Sequence, residues 1–184
     1  MKICADRCLV ENAIKDFFIN LDYLPNYINI AYSGGIDSTV LLHSVFNYTN
    51  QNHNTNLNKP VKIIPIHVHH GISKYADNWL EHCIKFSSNL GLELVWHKVN
   101  IKEYSKKLGI EAAARLLRYD AISKTAKCNP VLLGQHAQDQ LETFILQWQR
   151  GAGMDGLCSM AYFQDKNSTP YYRPFLELDK KNII

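Results

Sequence analysis

The chain has 184 residues, 46% of them hydrophobic, which suits one domain with its own core. Its 20 basic and 17 acidic residues give a formal net charge of +3, which permits contact with nucleic acid without arguing for it. Charges interrupt the first twenty residues and no apolar run approaches membrane length, so we expect neither secretion nor membrane insertion.

The cysteines are few and scattered. Their number is odd and no Cys-x-x-Cys pair occurs, so we expect free thiols in a reducing cytoplasm and no structural zinc site. They are Cys4, Cys8, Cys83, Cys128 and Cys158.

The N-terminal segment predicts an amphipathic helix. Apolar residues recur at three- and four-residue steps from Leu9 to Leu21. We expect this apolar face to cover the edge of a sheet and the helix to end before Pro25.

A glycine-rich turn follows between two apolar runs, residues 27–32 and 39–46. The turn reads Ser33-Gly34-Gly35-Ile36-Asp37-Ser38, which predicts a strand, a tight turn and a helix. Adjacent glycines permit positive φ and close approach of a ligand, and the N–H groups that begin a helix form an anion site. Phosphate is the expected anion, and Asp37 beside it suggests a bridging divalent cation. The turn fits neither the Walker A nor the dinucleotide-binding pattern, and an ordinary turn of small residues is the alternative.

The middle of the chain alternates between loop, strand and helix patterns. Residues 47–59 hold six asparagines and predict a surface loop. Residues 61–68 predict a strand in which Pro65 would suit an edge or a bulge. Helical spacing of apolar residues then runs from Ala76 to Leu90, with Trp79 among them, and Gly91 ends the helix.

The same alternation continues towards the C-terminus. It implies an α/β fold, a parallel sheet with helices on both faces and right-handed crossovers, and it puts ligand sites at the carboxyl ends of the strands. The predicted elements are a strand at 92–99, a short helix reaching 109, a helix at 111–127, a strand at 131–134 and a helix at about 138–149.

Three histidines lie close together on the second predicted strand. His67 and His69 share one strand face and His70 lies at its end. A zinc site is one interpretation, but no nearby thiolate or carboxylate completes a tetrahedral set. Partly buried strand residues are the alternative.

Charged residues on the later helices admit two interpretations. Glu111 and Arg115 stand four apart and Arg118 is adjacent, so they form either a solvated pair or a site edge that recognises a carboxylate or a nucleic-acid backbone. Arg150 precedes a glycine-rich stretch, where it is either part of a helix cap or a phosphate contact.

Several motifs together resemble a known family. Ser33 to Ser38 resembles the loop of N-type ATP pyrophosphatases, the PP-loop superfamily. The order of the later motifs resembles the N-terminal catalytic domain of the tRNA(Ile)-lysidine synthases across nearly all of the chain. These motifs are His67-Val68-His69-His70-Gly71, Glu111-Ala112-Ala113-Ala114-Arg115 with Arg118-Tyr119, His136-x-x-Asp139-Gln140-x-Glu142-Thr143, and Arg150-Gly151.

This resemblance implies an ATP-dependent ligase with Mg²⁺. The enzyme would adenylate the C2 carbonyl oxygen of the wobble cytidine in tRNA(Ile) with a CAU anticodon, and free lysine would then displace AMP to give lysidine. It would be cytoplasmic, and a homodimer is left open.

The resemblance also implies roles for individual residues. Asp37 and Asp139 would hold the metal and, with Arg115, would be catalytic. The nucleotide would be bound by Ser33, Gly34, Gly35, Ile36, Asp37, Ser38, His70 and Gly71. The other substrates would be bound by Glu111, Arg115, Arg118, His136, Glu142 and Arg150.

The chain departs from this family at two positions. Where the family usually reads His-His-x-Asp-Asp-Gln, this chain has Gln135-His136-Ala137-Gln138-Asp139-Gln140, so a histidine and an aspartate have become glutamine. Glutamine cannot replace the charge of a carboxylate. Either Asp139 alone suffices or activity is reduced.

Residues 1–184 are expected to form a single PP-loop catalytic domain. Arg173 to Leu176 resembles the segment that closes the family's sheet, and residues 178–184 would begin a helix leading to further domains. The C-terminal tRNA-binding domains of the family are expected to be absent.

Two other functions compete with the ligase. A tRNA thiolase shares the loop, but such enzymes bring paired cysteines, and Cys4 and Cys8 are the nearest approach to a pair. The two glutamines and the short chain also suit a nucleotide-binding or RNA-binding module without turnover.

Overall fold

The computed structural model describes residues 2–51, 60–153 and 160–183. Its first half contains α1 (Lys2–Ile19), β1 (Tyr27–Ala31), α2 (Ile36–Gln51), β2 (Lys62–His69), α3 (Ala76–Asn89) and β3 (Val95–Lys98). Its second half contains α4 (Lys102–Leu108), α5 (Ile110–Ala126), β4 (Val131–Leu132), α6 (Ala137–Gln149), β5 (Phe163–Lys166) and β6 (Thr169–Tyr172), followed by a 3-10 turn at Lys180–Asn182.

The strands form one sheet in the order β3-β2-β1-β4-β6-β5. All neighbours pair in parallel except β5, which runs antiparallel to β6. The predicted α/β class and parallel sheet are confirmed, whereas the terminal hairpin was not foreseen. Its turn is built on Asn167 and Ser168, both at positive φ (54° and 57°), as a tight two-residue hairpin requires.

The sheet buries apolar side chains on both faces. One cluster joins Ile28, Ile30 and Leu132 to side chains of α1, α2 and α3. A second cluster joins Val131 and Tyr171 to side chains of α5. Since neighbouring residues in a strand point to opposite faces, helices cover both sides of the sheet, as the sequence predicts.

Helix α1 corrects one expectation. Phe17 packs edge-on against Tyr172 of β6 at 5.2 Å, and Ile14 is fully buried in the cluster that contains the central strand β1. The helix therefore covers the middle of one face and not an edge of the sheet.

Pro65 also lies where the sequence did not place it. Strand β2 is internal, between β3 and β1, and Pro65 is in register with Ile30 of β1. Pairing with β3 begins only at Ile66, opposite Val95. Because successive residues of a parallel strand bond to alternate neighbours, the missing N–H of Pro65 faces the side that β3 has not yet reached.

Two segment boundaries differ from expectation. Helix α2 continues to Gln51, so the asparagine-rich stretch is helical at its start, and residues 52–59 lie outside the described residues. Near the C-terminus, the expected helix is only the 3-10 turn, and Ile183 is buried in the same cluster as α1.

Among the described residues, none of the helices is both long enough and apolar enough to span a bilayer.

Candidate functional site

A pocket of about 520 Å³ opens at the carboxyl ends of β1, β2 and β4. Its wall combines the loop after β1, the end of β2, the first turns of α3 and α6, and one side of α5. This volume is within the range of sites that bind nucleotides and other small ligands.

The loop after β1 is shaped around Gly34. Gly34 has a φ of +84°, and a Cβ added there would lie 2.8 Å from the Cys83 sulfur of α3. Both the backbone conformation and the contact exclude any other residue without a shift. Only this glycine of the adjacent pair has positive φ, since Gly35 does not.

The hydroxyl groups of the loop bond to one another. Ser38 Oγ donates to the Gly35 carbonyl at 3.0 Å and accepts from the Ser33 N–H at 3.3 Å. Ser33 Oγ lies 3.0 Å from Ser38 Oγ and accepts from the Gly35 N–H at 3.3 Å. The loop is therefore held in a curled form at the start of α2, where helix N–H groups favour an anion.

Gly134, which follows β4, packs directly on this loop. A Cβ at Gly134 would approach the backbone carbonyl of Asp37 to 3.1 Å. The absence of a side chain lets the chain after β4 lie against the first turn of α2, which brings the residues that follow Gly134 to the loop.

His136 lies between two carboxylates. Its Nε2 is 3.6 Å from Asp37 Oδ2 and its Nδ1 is 3.6 Å from Asp139 Oδ2, and the side chain is buried. Asp139 Oδ2 also accepts the His136 backbone N–H at 2.9 Å, which satisfies one of the N–H groups at the start of α6. The two predicted carboxylates thus meet in one site.

Asp37 retains an oxygen for a ligand. Its Oδ1 is buried and has no hydrogen-bond partner among the described residues. Such an atom is expected to meet a cation or a water molecule, since buried polar groups are nearly always paired. Mg²⁺ is usually bound by one or two carboxylates together with substrate phosphates, and the unpartnered oxygen of Asp37 beside the loop suits such an ion.

The histidines of β2 have separate partners. His67 Nδ1 lies 2.9 Å from the Tyr32 carbonyl, which only accepts, so Nδ1 carries the proton and Nε2 is an acceptor. Burial lowers the pKa of His67 and keeps the ring neutral. His69 Nε2 bonds to Asp77 Oδ1 at 3.1 Å. Both rings are buried and line the pocket, as does His70.

Arg118 lines the pocket beside His70. Burial lowers the pKa of His70, and the nearby charge of Arg118 lowers it further. Arg115, Arg118 and Lys166 all lie over the ring of Tyr119, with Lys166 Nζ 3.9 Å from its centre. The three cations form a basic edge of the site around Tyr119.

The structure does not bring every predicted residue to the pocket wall. Glu111, Arg115, Glu142 and Arg150 are exposed and lie outside its lining, as does Ile36. No ion pair joins Glu111 to Arg115 in the part of the chain that the structure describes.

Other lining residues were missed or assigned to the core. Trp79 followed the helical spacing of a buried face, yet it is 57% exposed and lines the pocket. Tyr32 and Gln135 also contribute to the wall. Their common signal is position, since Tyr32 directly follows β1 and Gln135 comes after β4, at the carboxyl edge of the sheet.

Comparison with known proteins identifies related chains. A family model described as a PP-loop domain matches residues 8–184. The chain is 36% identical over 157 residues to the tRNA(Ile)-lysidine synthase of Photorhabdus laumondii, covering 85% of this chain and 34% of that protein. It is 41% identical over 150 residues to that of Escherichia coli O157:H7, covering 81% of this chain and 33% of the relative. The chain thus spans about a third of the length of these relatives.

Solved structures share the fold at low identity. The U34-tRNA thiolase NcsA from Methanococcus maripaludis has a TM-score of 0.69 at 16% identity and covers 96% of this chain and 62% of its own. The NH3-dependent NAD synthetase from Campylobacter jejuni has a TM-score of 0.59 at 15% identity and covers 100% of this chain and 71% of its own. At this identity the likeness concerns the arrangement of the backbone.

Proposed function

This chain belongs to the PP-loop family, whose model spans residues 8–184, and we propose that it is the ATP-using catalytic part of a cytoplasmic tRNA(Ile)-lysidine synthase. The proposed reaction joins free lysine to C2 of the wobble cytidine in tRNA(Ile) with a CAU anticodon. The relatives at 36% and 41% identity carry that name, which supports the choice among PP-loop activities.

The observation that carries the proposal is the meeting of Asp37 and Asp139 across His136, beside the curled loop of Ser33 to Ser38. The loop suits a phosphate group, and two carboxylates lie in the same pocket. Metal-bridged nucleotide chemistry needs both features. Asp37 and Asp139 would hold Mg²⁺, which neutralises charge on a leaving pyrophosphate when bound.

In the first step the C2 carbonyl oxygen of cytidine attacks the α-phosphate of ATP. A phosphorus–oxygen bond forms to the base and the bond to the β-phosphate breaks, releasing pyrophosphate. The N–H groups at the start of α2 and the hydroxyls of Ser33 and Ser38 would stabilise that leaving anion. The hydroxyls must turn from one another towards the phosphate to do so.

In the second step the amine of lysine attacks C2 and AMP leaves with the carbonyl oxygen. The amine attacks only as the neutral base, so a proton must be lost, and Asp139 at the start of α6 would accept it in the alternative in which Asp37 alone holds the metal. The proposed contact of Arg118 with the lysine carboxylate or the tRNA backbone agrees with its position beside His70 on the basic edge. Glu111, Arg115, Glu142 and Arg150 would contact tRNA outside the pocket.

The test is direct. The purified chain is incubated with a tRNA(Ile) transcript bearing CAU, ATP, Mg²⁺ and radiolabelled lysine, and label in the tRNA is counted. We expect incorporation that requires ATP and disappears when the wobble cytidine is replaced by guanosine. Pyrophosphate release without lysine incorporation would reject the ligase, and ATP binding without either would indicate a binding module.

The cysteines do not favour the thiolase alternative. Cys83 is buried and burial raises its pKa to about 11, while Cys8 and Cys128 are exposed on separate elements. The side chain of Cys4 and all of Cys158 lie outside the described residues.

A further inference from the structure

Arg173, the residue after β6, is a buried arginine held by neutral groups. Its side chain is among the largest fully buried ones, at 1% exposure. Nε donates to Gln135 Oε1 at 2.6 Å, Nη1 to the Ala161 carbonyl at 2.7 Å and Nη2 to Gln164 Oε1 at 3.0 Å. Within residues 2–51, 60–153 and 160–183, no carboxylate forms an ion pair with it.

The burial of Arg173 makes its three hydrogen-bond acceptors necessary. A buried charge without a counter-ion is tolerated only when its donors are satisfied, so each of the three oxygens is needed. An arginine nitrogen can only donate, and Gln135 must therefore present its carbonyl oxygen to Arg173. The orientation of the Gln135 amide follows from this bond.

The amide nitrogen of Gln135, Nε2, is not used by Arg173. This nitrogen carries two N–H donors and lies 2.9 Å from the Met160 sulfur, a weak acceptor that engages one of them. Gln135 lines the pocket beside Gly134 and the loop of Ser33 to Ser38. The second N–H of Nε2 has no partner among the described residues, and such a donor favours an oxygen acceptor and not a cation or a second donor.

We propose that Gln135 is a ligand-binding residue that donates from Nε2 to a phosphate oxygen of the nucleotide, and that Arg173 is the positioning residue that fixes the orientation of its amide. The proposal rests on the nucleotide-binding part of the proposed function. It gives Gln135 a role at the position where the family usually has a histidine. A histidine there could fill the same role, since one ring nitrogen can accept from Arg173 while the other donates.

Three variants test it. Gln135→Glu keeps an acceptor for Arg173 but removes the donor, and Gln135→His restores a donor. Gln164→Glu is the matched control, since it gives Arg173 the same carboxylate from a residue that does not line the pocket.

A thermal melt first shows that each variant folds. Calorimetry then measures the binding of ATP with Mg²⁺ and the binding of inorganic pyrophosphate. We expect Gln135→Glu to weaken ATP binding at least about tenfold, and Gln135→His and Gln164→Glu to stay within about threefold of the parent. In the lysine-incorporation assay, Gln135→Glu should raise the KM for ATP and leave the KM for lysine unchanged.

The inference is overturned if Gln135→Glu binds ATP like the parent, or if Gln164→Glu loses as much affinity, which would assign the effect to the charge of Arg173. It is also overturned if Gln135→His is as weak as Gln135→Glu. A parent that binds neither ATP nor pyrophosphate would reject the proposed function itself, and the role of this pair with it.

Discussion

The Gln138 side chain bonds to Asp179 near the C-terminus, with Nε2 2.6 Å from Asp179 Oδ1. Its Oε1 accepts the backbone N–H of Lys180 at 2.9 Å, so both ends of the amide serve the same segment. Hydrogen bonds from Lys181 and then from Gln138 lower the pKa of Asp179 to about 2. Gln138 therefore ties the first turn of α6 to residues 179–180 and does not face the pocket.

This contact changes the expectation for Gln138→Asp. The helix dipole alone favours an acidic side chain in the first turn of α6, which predicts a folded protein with unchanged or modestly raised activity. Next to Asp179, however, the new carboxylate would lose the donor to Asp179, would be one methylene further from the Lys180 N–H and would meet a like charge. We now expect a lower midpoint of chemical denaturation, with turnover unchanged or modestly raised.

The control for that variant is a double-mutant cycle with Asp179→Asn. If like-charge repulsion is the cause, Asp179→Asn should restore part of the lost stability to Gln138→Asp. Additive effects of the two changes would exclude the repulsion, and a loss of all turnover would give the glutamine a role in the reaction.

Asp37→Ala should leave the fold intact and lower turnover about a hundredfold or more, the order expected when a preorganised electrostatic contact is lost. Its Oδ1 has no partner in the described structure, so its removal breaks no hydrogen bond of that atom. Steady-state lysine incorporation measures the effect. Asp120→Asn, which alters an exposed pair with Lys124, is the matched control. Turnover of Asp37→Ala within threefold of the parent would mean that this carboxylate has no catalytic part.

Two substitutions at Asp139 should separate its role in turnover from its contribution to stability. Asp139→Asn keeps an oxygen for the His136 backbone N–H and removes the charge, so turnover should fall about a hundredfold with stability near that of the parent. Asp139→Ala also loses the bond at the start of α6, and we expect about 1 kcal/mol less stability. Urea denaturation and lysine incorporation measured on both variants check this. Equal stability of the two would show that the bond contributes nothing to the fold.

Binding of tRNA should be weaker for this chain than for a longer relative. The 184 residues carry a net charge of only +3, so they offer few phosphate contacts. We expect near-normal ATP binding, tRNA affinity lower by at least about tenfold, and a flatter dependence of that affinity on salt. Filter binding of both proteins across one salt series measures the difference. An equal affinity and an equal salt slope would mean that this portion alone recognises tRNA.

Local patterns were sufficient for most of the architecture. Helical spacing predicted α3 and α5 closely, because apolar periodicity and the residues that end helices act over a few positions. The loop of Ser33 to Ser38 could be placed from sequence, since a strand, paired glycines and a helix start are contiguous. Parallel pairing then put Asp37 and the residues after β4 at the same edge of the sheet.

Contacts between distant residues could not be predicted in this way. The bonds of Gln138 to Asp179 and of Arg173 to Gln135 join residues 41 and 38 positions apart, and glutamine has no periodic signal that names a partner. The comparison with the family marked both glutamines as departures and named no partner for either, whereas the structure gives each a defined bond. The hairpin of β5 and β6 was missed because Asn167-Ser168 is a weak turn signal beside Asn-Gly.

Strand β4 is only two residues long, and it pairs with β1 through Asn29 with Val131 and Ile30 with Leu132. Asp37 follows β1 and His136 follows β4, so this short ladder connects the two halves of the carboxylate site. Amide hydrogen exchange reports such local openings, which need far less free energy than global unfolding. An opening of this ladder would therefore separate the two halves of the site without unfolding the whole domain.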